Sequence, residues 1–175
     1  ADERVCQRLR TVLGSKGMLG RYVAAYFGAQ GTAVVGVSRE RLDAARAGEG
    51  ELERILDAER TGPGDLVVNC IGLTKQRRDI PVTEFVRVNA LFPWILADVC
   101  ERRGVPLVHT TTDCVFDGLE GRYDEEHVHN ARDVYGKTKS LGEPAGATVI
   151  RTSIIGEEVG QCRSLLEWVK ANRNR

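Results

Sequence analysis

Short apolar runs alternate with longer segments of helical periodicity along most of this chain. The runs hold consecutive apolar residues, which is typical of strands buried on both faces of a parallel sheet. The segments between them place apolar residues three and four apart, as amphipathic helices do. We predict strands at 11–13, 33–37, 66–71, 107–110 and 147–151. We predict helices at 19–27, 51–60, 133–143 and 82–103, the last bent near Pro93.

This alternation of strands and helices indicates a doubly wound α/β domain, a parallel sheet with helices on both sides. We assign residues 1–156 to that domain, and residues 157–175 to the start of a further region. The second assignment rests on an amphipathic helix that begins near Leu165 and Trp168.

A glycine-rich turn separates the first predicted strand from the first predicted helix. Gly14, Gly17 and Gly20 stand at three-residue intervals. Glycine allows a tight turn and lets a pyrophosphate approach main-chain N–H groups, while the helix that follows directs its positive end at the anion. Such a triplet also occurs in turns without a ligand, but the flanking strand and helix favour a dinucleotide. The expected cofactor-binding residues of the turn are Gly14, Ser15, Lys16, Gly17, Met18 and Leu19.

The residues after the second strand bear on the choice between NAD and NADP. An acidic residue there binds the ribose 2′-hydroxyl of NAD, whereas an arginine accommodates the 2′-phosphate of NADP. Here Ser38 and Arg39 follow the strand, and Lys16 could reach the same phosphate, whereas Glu40 favours NAD. We predict NADP(H) as the cofactor, with NAD(H) as the alternative.

A tyrosine and a lysine in the last predicted helix are candidates for proton transfer. Tyr135 and Lys139 are four residues apart and so lie on one helical face. A nearby ammonium favours the phenolate, so we expect Lys139 to lower the pKa of Tyr135. Such pairs also occur on helices without a catalytic role. Thr112, in the threonine cluster after the fourth strand, lies where open α/β sheets bind ligands and could hydrogen-bond a substrate carbonyl.

Three motifs together resemble the extended short-chain dehydrogenase/reductases. They are the glycine turn, the run Thr112-Asp113-Cys114-Val115-Phe116-Asp117-Gly118, and the pair Tyr135-x-x-x-Lys139. The second run, followed by Gly121, Tyr123 and Glu125, closely resembles the dTDP-4-dehydrorhamnose reductase-like sugar-nucleotide reductases. Segments 68–72, 88–90 and 151–156 are also similar to that family, and the resemblance extends over about residues 10–170.

The resemblance implies an NAD(P)-binding Rossmann domain and an oxidoreductase that reduces a 4-keto-6-deoxy nucleotide sugar. Tyr135 would be the proton donor to the keto oxygen, Lys139 would bind the nicotinamide ribose and tune Tyr135, and Thr112 would orient the carbonyl. The further cofactor contacts it implies are Cys70, Ile71 and Gly72 at the adenine and ribose, Asn89 as support, and Thr152 and Ser153 near the nicotinamide.

Other functions remain open at this point. One is a non-catalytic NADP-binding regulatory subunit, although such a protein would not need Thr112, Tyr135 and Lys139. Another is an epimerase, a dehydratase or a reductase of another carbonyl compound within the same superfamily. Members of the family are longer, so we expect the substrate-binding part to be largely absent. We therefore expect the chain to bind NADPH but to reduce nucleotide sugars poorly.

Composition and charge narrow the expected partners. The chain has 25 basic and 25 acidic residues, and a net charge of zero argues against nucleic acid or an anionic membrane as the main partner. No apolar run approaches the roughly 20 residues of a membrane span, and the first ten residues lack the apolar region of a signal peptide. The expected partners are a nucleotide sugar and a second copy of the chain in a homodimer.

The five cysteines lack the spacing of a zinc site or of a redox motif, and we assign no metal site. Cys70 and Cys114 lie in apolar runs, so we expect them to be small buried residues of a reduced, cytoplasmic protein.

Overall fold

Five parallel strands form one sheet in the computed structural model, which describes residues 8–75, 79–157 and 165–173. The strands are β1 Arg10–Leu13, β2 Val34–Val37, β3 Leu66–Asn69, β4 Leu107–Thr112 and β5 Thr148–Thr152. Their order across the sheet is β2-β1-β3-β4-β5, with every neighbouring pair parallel. The chain changes direction across the sheet between β1 and β3, and ligands bind at the carboxyl ends of strands beside such a switch point.

Helices connect consecutive strands, and the predicted doubly wound parallel sheet is confirmed. The helices are α1 Met18–Ala29, α2 Glu49–Ala58, α3 Val82–Phe85, α4 Phe92–Arg102, α5 Val134–Leu141 and α6 Leu165–Ala171. Right-handed crossovers place α1 on one face and α2, α4 and α5 on the other, because only the connection from β1 to β2 runs in the opposite direction along the sheet. In agreement, α1 packs on β1 and β2, whereas α2 packs against α4.

The predicted helix 82–103 contains a distortion, but it lies one turn before Pro93. Between α3 and α4 the residues Val86–Leu91 form π-helical turns. Pro93 has no N–H to donate to the carbonyl of Asn89, four residues earlier, so a regular α-helical ladder cannot continue through this point. The same carbonyl lies against Gly142 at the end of α5, where a Cβ would stand 1.8 Å from the Asn89 oxygen. Asn89, a predicted site residue, is therefore held in a distorted turn that contacts α5.

The main core lies between the sheet and the face formed by α2 and α4. Leu13, Val67 and Leu107 from three central strands are buried there with Leu52 of α2 and Leu96 of α4. Burial decreases towards the edges of the sheet. The prediction that the strands are buried on both faces is wrong for β5, an edge strand on which Ile150 is 45% exposed.

The cysteines only partly match the sequence analysis. Cys100 is buried and Cys70 is half-buried, and all three described cysteines are free thiols. The prediction of a buried Cys114 is wrong, because Cys114 is exposed. It lies beyond the end of β4 in the 3₁₀ turn Asp113–Val115, of which only Val115 is buried. Cys6 and Cys162 lie outside the described residues.

The start of the further region, predicted from residue 157 onwards, lies partly outside the described residues. The predicted helix is present as α6, and none of its residues is buried. Within the described ranges, no helix combines the length and apolar character needed to cross a membrane. In the same ranges, no group of three or more His, Cys, Asp or Glu side chains is placed to hold a metal ion.

Candidate functional site

The glycine turn is fastened to the ends of β1 and β2. Gly14 adopts a φ of +76°, a left-handed conformation that favours glycine. The N–H groups of Gly14 and Ser15 both donate to the carbonyl of Val37, at 2.8 and 3.2 Å. A Cβ on Gly20 would stand 2.2 Å from the Gly14 oxygen, so α1 packs directly on the turn. Two of the three glycines are thus required by the backbone itself.

The amino end of α1 has the properties of an anion site. The helix begins after Gly17, without a side-chain cap and without an acidic residue in its first turn. The first N–H groups of a helix, here those of Met18 and Leu19, have no partner within the helix. They point outward with the positive end of the helix dipole. The N–H groups of Met18 and Leu19 therefore fit a pyrophosphate, whereas those of Gly14, Ser15 and Gly17 hold the turn itself.

Cations and carboxylates meet beside this turn, at the end of β2. The Ser38 hydroxyl and the Lys16 ammonium both donate to the Glu40 carboxylate, the latter at 3.1 Å. The hydrogen bond from Ser38 is the largest cause that lowers the pKa of Glu40 to about 2. Arg39 is 68% exposed and lies 3.8 Å from Glu84 Oε1. Lys16 and Ser38, two of the predicted cofactor contacts, are therefore joined through Glu40 beside the turn, and Arg39 has Glu84 as its neighbour.

The segment after β3 lies against the glycine turn. The Cys70 N–H donates to the Leu13 carbonyl at 3.0 Å, and a Cβ on Gly14 would stand 3.1 Å from both the Cys70 carbonyl and the Ile71 side chain. Burial raises the pKa of the Cys70 thiol to about 11, so this cysteine is a neutral thiol in the physiological range. The structure thus brings together the predicted residues of the turn and Cys70 and Ile71.

Gly72 and Asn89 connect this segment to α5. A Cβ on Gly72 would stand 3.5 Å from Lys139 Nζ and 3.6 Å from Asn89 Oδ1. The buried Asn89 side chain accepts from the Leu73 N–H at 2.8 Å and donates to the Leu73 carbonyl at 3.0 Å. Asn89 therefore holds the segment after β3 in place.

Tyr135 and Thr112 meet at the carboxyl end of β4. Asp133 caps α5 by accepting from the Gly136 N–H at 3.0 Å, and this begins the helix one residue before Tyr135. The Tyr135 phenol lies within reach of the Thr112 side chain, whose Oγ1 accepts from the Cys114 N–H at 3.2 Å and donates to Asp113 Oδ1 at 3.3 Å. Burial raises the pKa of Tyr135, and the neighbouring Thr112 side chain opposes this shift. The expectation of a lowered Tyr135 pKa is wrong, because removal of the phenol from water dominates.

Lys139 is a buried ammonium on the same helix. Its residue is 5% exposed, and Nζ donates to the Thr110 carbonyl at 3.1 Å. Burial lowers the pKa of Lys139 to about 8, partly offset by Glu143. The ammonium therefore lies between β4 and Gly72, at the rim of the segment that follows β3.

Thr152 and Ser153, predicted near the nicotinamide, lie beside the end of β4. Thr152 Oγ1 donates to the Thr111 carbonyl at 3.1 Å, and Ser153 Oγ donates to Asp113 Oδ2 at 2.6 Å. Both residues are therefore next to Thr112 in space.

A buried polar pair below the site was not predicted from the sequence. Asn69 and His109 are opposite each other in β3 and β4, both fully buried, with Asn69 Nδ2 3.0 Å from His109 Nδ1. Asn69 Oδ1 accepts from the Ile71 N–H, so its amide is fixed and the ring nitrogen is the acceptor. Burial lowers the pKa of His109 to about 3, with a smaller effect of Lys139. The signal in the sequence was a polar residue at a core position in each strand.

A cavity of about 850 Å³ opens beside Asp113 and Cys114, between the segment 113–125 and β5. Arg151 lines it and is held by Glu143 at 2.8 Å and by His129 at 2.7 Å. The sequence analysis did not predict this space. It adjoins the Thr112 end of the candidate site and has room for a molecule of substrate size.

Known proteins resemble this chain in sequence and in fold. A dTDP-4-dehydrorhamnose reductase from Streptomyces griseus is 36% identical over 141 residues, which cover 79% of this chain and 45% of that protein. The structure of a dTDP-4-dehydrorhamnose reductase from Bacillus anthracis in complex with NADP has a TM-score of 0.64 at 22% identity, covering 78% of this chain and 48% of that one. MoeE5 in complex with UDP-glucose and NAD has a TM-score of 0.62 at 22% identity, covering 80% and 51%.

These comparisons establish the fold and the family of this chain. The chain spans about half the length of the relatives it matches. At 22% identity the two structures establish the fold alone, and they confirm the Rossmann-like architecture. The family model described as the RmlD substrate binding domain matches residues 10–161, a span that includes the glycine turn, Thr112, Tyr135 and Lys139. The family predicted from the motifs is thereby confirmed, and the chain belongs to the RmlD substrate binding domain family.

Proposed function

We propose that this chain forms the NADP(H)-binding and proton-donating part of a reductase that acts on a 4-keto-6-deoxy nucleotide sugar. The observation that carries the proposal is the convergence of Thr112, Tyr135 and Lys139 with the segment after β3, which itself packs on the glycine turn. The name of the Streptomyces griseus relative, a dTDP-4-dehydrorhamnose reductase, supports the substrate class. NAD(H) is the alternative cofactor.

The residues present fit a dinucleotide along the carboxyl edge of the sheet. The N–H groups of Met18 and Leu19, at the end of the turn Gly14–Leu19, would hold the pyrophosphate, and Ser38, Arg39 and Lys16 would face the adenosine ribose. The remaining contacts would come from Cys70, Ile71, Gly72, Asn89, Lys139, Thr152 and Ser153. When bound, the nicotinamide would supply the hydride for the reduction.

The protein would contribute orientation and a proton. The Tyr135 phenol, whose pKa is raised by burial, is protonated at neutral pH and would donate its proton to the keto oxygen as a general acid. The Thr112 hydroxyl, which donates to Asp113 Oδ1 at 3.3 Å in this structure, would turn to hold the same oxygen. Lys139, with a pKa of about 8, keeps its charge at neutral pH and would stabilise the phenolate left after proton transfer.

The cavity beside Cys114 supports the proposed location of the sugar. It shares Asp113 and Cys114 with the turn that follows Thr112, so a molecule in it would lie next to that end of the candidate site. Its lining also carries the carboxylates Asp117 and Glu125, acceptors that suit sugar hydroxyls.

The test of the proposal is the rate of NADPH consumption with a dTDP-linked 4-keto-6-deoxy sugar. Single-turnover conditions with the protein in excess allow a low rate to be measured. We expect Tyr135→Phe to lower the rate by ~10²-fold or more, with little change in NADPH affinity. Tyr26→Phe is the matched control, because Tyr26 is 63% exposed on α1 and should keep the wild-type rate. A Tyr135→Phe protein with the wild-type rate would overturn the assignment.

A further inference from the structure

The residues between β4 and α5, 113–133, form one wall of the cavity beside Cys114. All of these residues are described, and after the 3₁₀ turn Asp113–Val115 they contain no helix or strand. Thr112 comes directly before this β4–α5 segment, and Tyr135 follows it by two residues. A segment without a helix or a sheet ladder of its own depends on turns and side chains for its hydrogen bonds. The contacts that hold it therefore also shape the space proposed for the sugar.

Arg151, on the edge strand β5, contacts the β4–α5 segment at three places. Its Nη1 donates to the Glu125 carbonyl at 3.3 Å, and its Nη2 donates to His129 Nε2 at 2.7 Å. Its guanidinium also lies over the Phe116 ring, 5.5 Å from the ring centroid. Phe116 in turn stacks on Tyr123, with the centroids 4.4 Å apart. One side chain thus holds residues from the beginning, the middle and the later part of the segment.

The guanidinium is itself held by residues of α5 and of the turn that follows it. Glu143 accepts from Nε at 3.2 Å and from Nη2 at 2.8 Å, a forked contact that fixes the guanidinium plane. The Glu143 side chain is 9% exposed and that of Arg151 is 23% exposed. Because Arg151 donates to Nε2 of His129, the ring carries its proton on Nδ1, which donates to Ser140 Oγ at 2.7 Å. The helix of the proposed proton donor is therefore joined through Arg151 to the cavity wall.

We propose that Arg151 is a positioning residue for the sugar, because it fixes the β4–α5 segment relative to α5. This inference rests on the proposed function, since it assumes that the sugar occupies the cavity. The Nε–H, one Nη1–H and both Nη2–H groups of Arg151 already have acceptors in the chain. Arg151 therefore acts through the segment that it holds. Its loss should weaken the binding of the sugar and leave the glycine turn, on the other side of the sheet centre, unaffected.

Two substitutions interrupt this arrangement at different points. Arg151→Lys keeps a positive charge beside Glu143 but loses the planar fork, so it cannot hold Glu143 and the segment together. His129→Leu keeps the pair of Arg151 and Glu143 and removes one contact to the segment. His129→Gln is its matched control, because the amide oxygen can still accept from the guanidinium. Arg54→Lys controls for the replacement of arginine, since Arg54 is exposed on α2 and donates to the Gly50 carbonyl of its own helix.

The first measurement is hydrogen–deuterium exchange of the free chain, which requires neither cofactor nor activity. Arg151→Lys and His129→Leu should make amide exchange at 113–133 about tenfold faster, because the segment opens more often. Exchange at 66–69, in the central strand β3, should stay as in the wild type and shows that the fold is kept. The two control variants should match the wild type within about threefold at 113–133.

The second measurement is the initial rate of NADPH oxidation at increasing concentrations of a dTDP-linked 4-keto-6-deoxy sugar. The half-saturating sugar concentration should rise about tenfold in Arg151→Lys, whereas the NADPH dissociation constant, from fluorescence titration, should change by less than about threefold. Unchanged exchange at 113–133, or an equal loss of NADPH affinity, would overturn the positioning role and leave the proposed function intact. Failure of the wild-type chain to bind NADPH would overturn the proposed function, and the exchange result would still decide whether Arg151 fixes the segment.

Discussion

The packing of α1 on the glycine turn leads to a prediction that compares one substitution at two positions of the same helix. A Cβ on Gly20 would stand 2.2 Å from the Gly14 oxygen and 2.8 Å from its carbonyl carbon. Both atoms belong to the backbone, so relief requires α1 or the turn to move by about 1 Å. At Gly28, nothing lies within 4 Å of an added Cβ. We therefore expect Gly20→Ala to destabilise the protein and Gly28→Ala to stabilise it.

The magnitudes follow from two opposing effects. Overpacking in a tight site costs about 1–3 kcal/mol, and replacing a helical glycine by alanine gains about 0.5–1 kcal/mol. The net loss for Gly20→Ala is about 1–2 kcal/mol, which lowers Tm by roughly 2–8 °C in a protein of this size. Gly28→Ala shows only the gain, so its Tm should rise by up to about 4 °C.

The assay is thermal unfolding followed by circular dichroism, with NADPH titration of each variant at low temperature. Gly20→Ala should also weaken NADPH binding, because the same movement displaces the N–H groups of the turn. A Tm for Gly20→Ala equal to or above that of Gly28→Ala would refute the close contact between α1 and Gly14.

Two further predictions concern the polar residues around the site. Arg39→Ala should weaken NADPH binding by about tenfold and leave NADH binding unchanged, because only NADPH carries the phosphate that the guanidinium would face, as fluorescence titration can measure. The pKa of His109 is about 3 in the folded protein and 6.5 ordinarily, so the unfolded chain binds the proton at a higher pH than the folded one. The free energy of unfolding should therefore fall as the pH decreases from about 6.5 towards 3. His109→Gln keeps an acceptor for Asn69 and removes this titration. The free energy of unfolding, measured with urea between about pH 6 and pH 4, should therefore depend less on pH in the variant than in the wild type. An unchanged pH dependence would contradict the buried neutral ring.

The strands and helices were largely predictable because burial imposes regular periods on the sequence. Each predicted strand and each predicted helix has a counterpart, with ends that differ by a few residues. The π-helical turns at Val86–Leu91 were not predictable, because they go with a tertiary contact between Gly142 and the Asn89 carbonyl. The exposure of Cys114 was not predictable either, since an apolar run does not show where β4 ends and the exposed turn begins.

The location of the site residues was predictable, because the order of strands and helices along the chain determines it. The hydrogen-bond partners of their side chains were not predictable from the sequence. Parallel strands with their carboxyl ends at one edge bring the glycine turn, Cys70 and Thr112 to the same side of the sheet. The sequence shows Lys16, Arg39 and Glu40 as neighbours of the cofactor, but not that Glu40 bonds to Lys16 and Ser38. The raised pKa of Tyr135 depends on its burial, which helical spacing alone does not reveal.

The central claim is that the glycine turn, the segment after β3 and the helix of Tyr135 and Lys139 form a single dinucleotide site. Hydrogen–deuterium exchange with and without saturating NADPH tests this most directly. The account predicts slower amide exchange at 14–20, 70–73 and 135–139 together, and unchanged exchange in α2, which packs on α4 and lies apart from the proposed contacts. Unchanged exchange at 14–20 and 70–73, or slowing confined to α2, would contradict it.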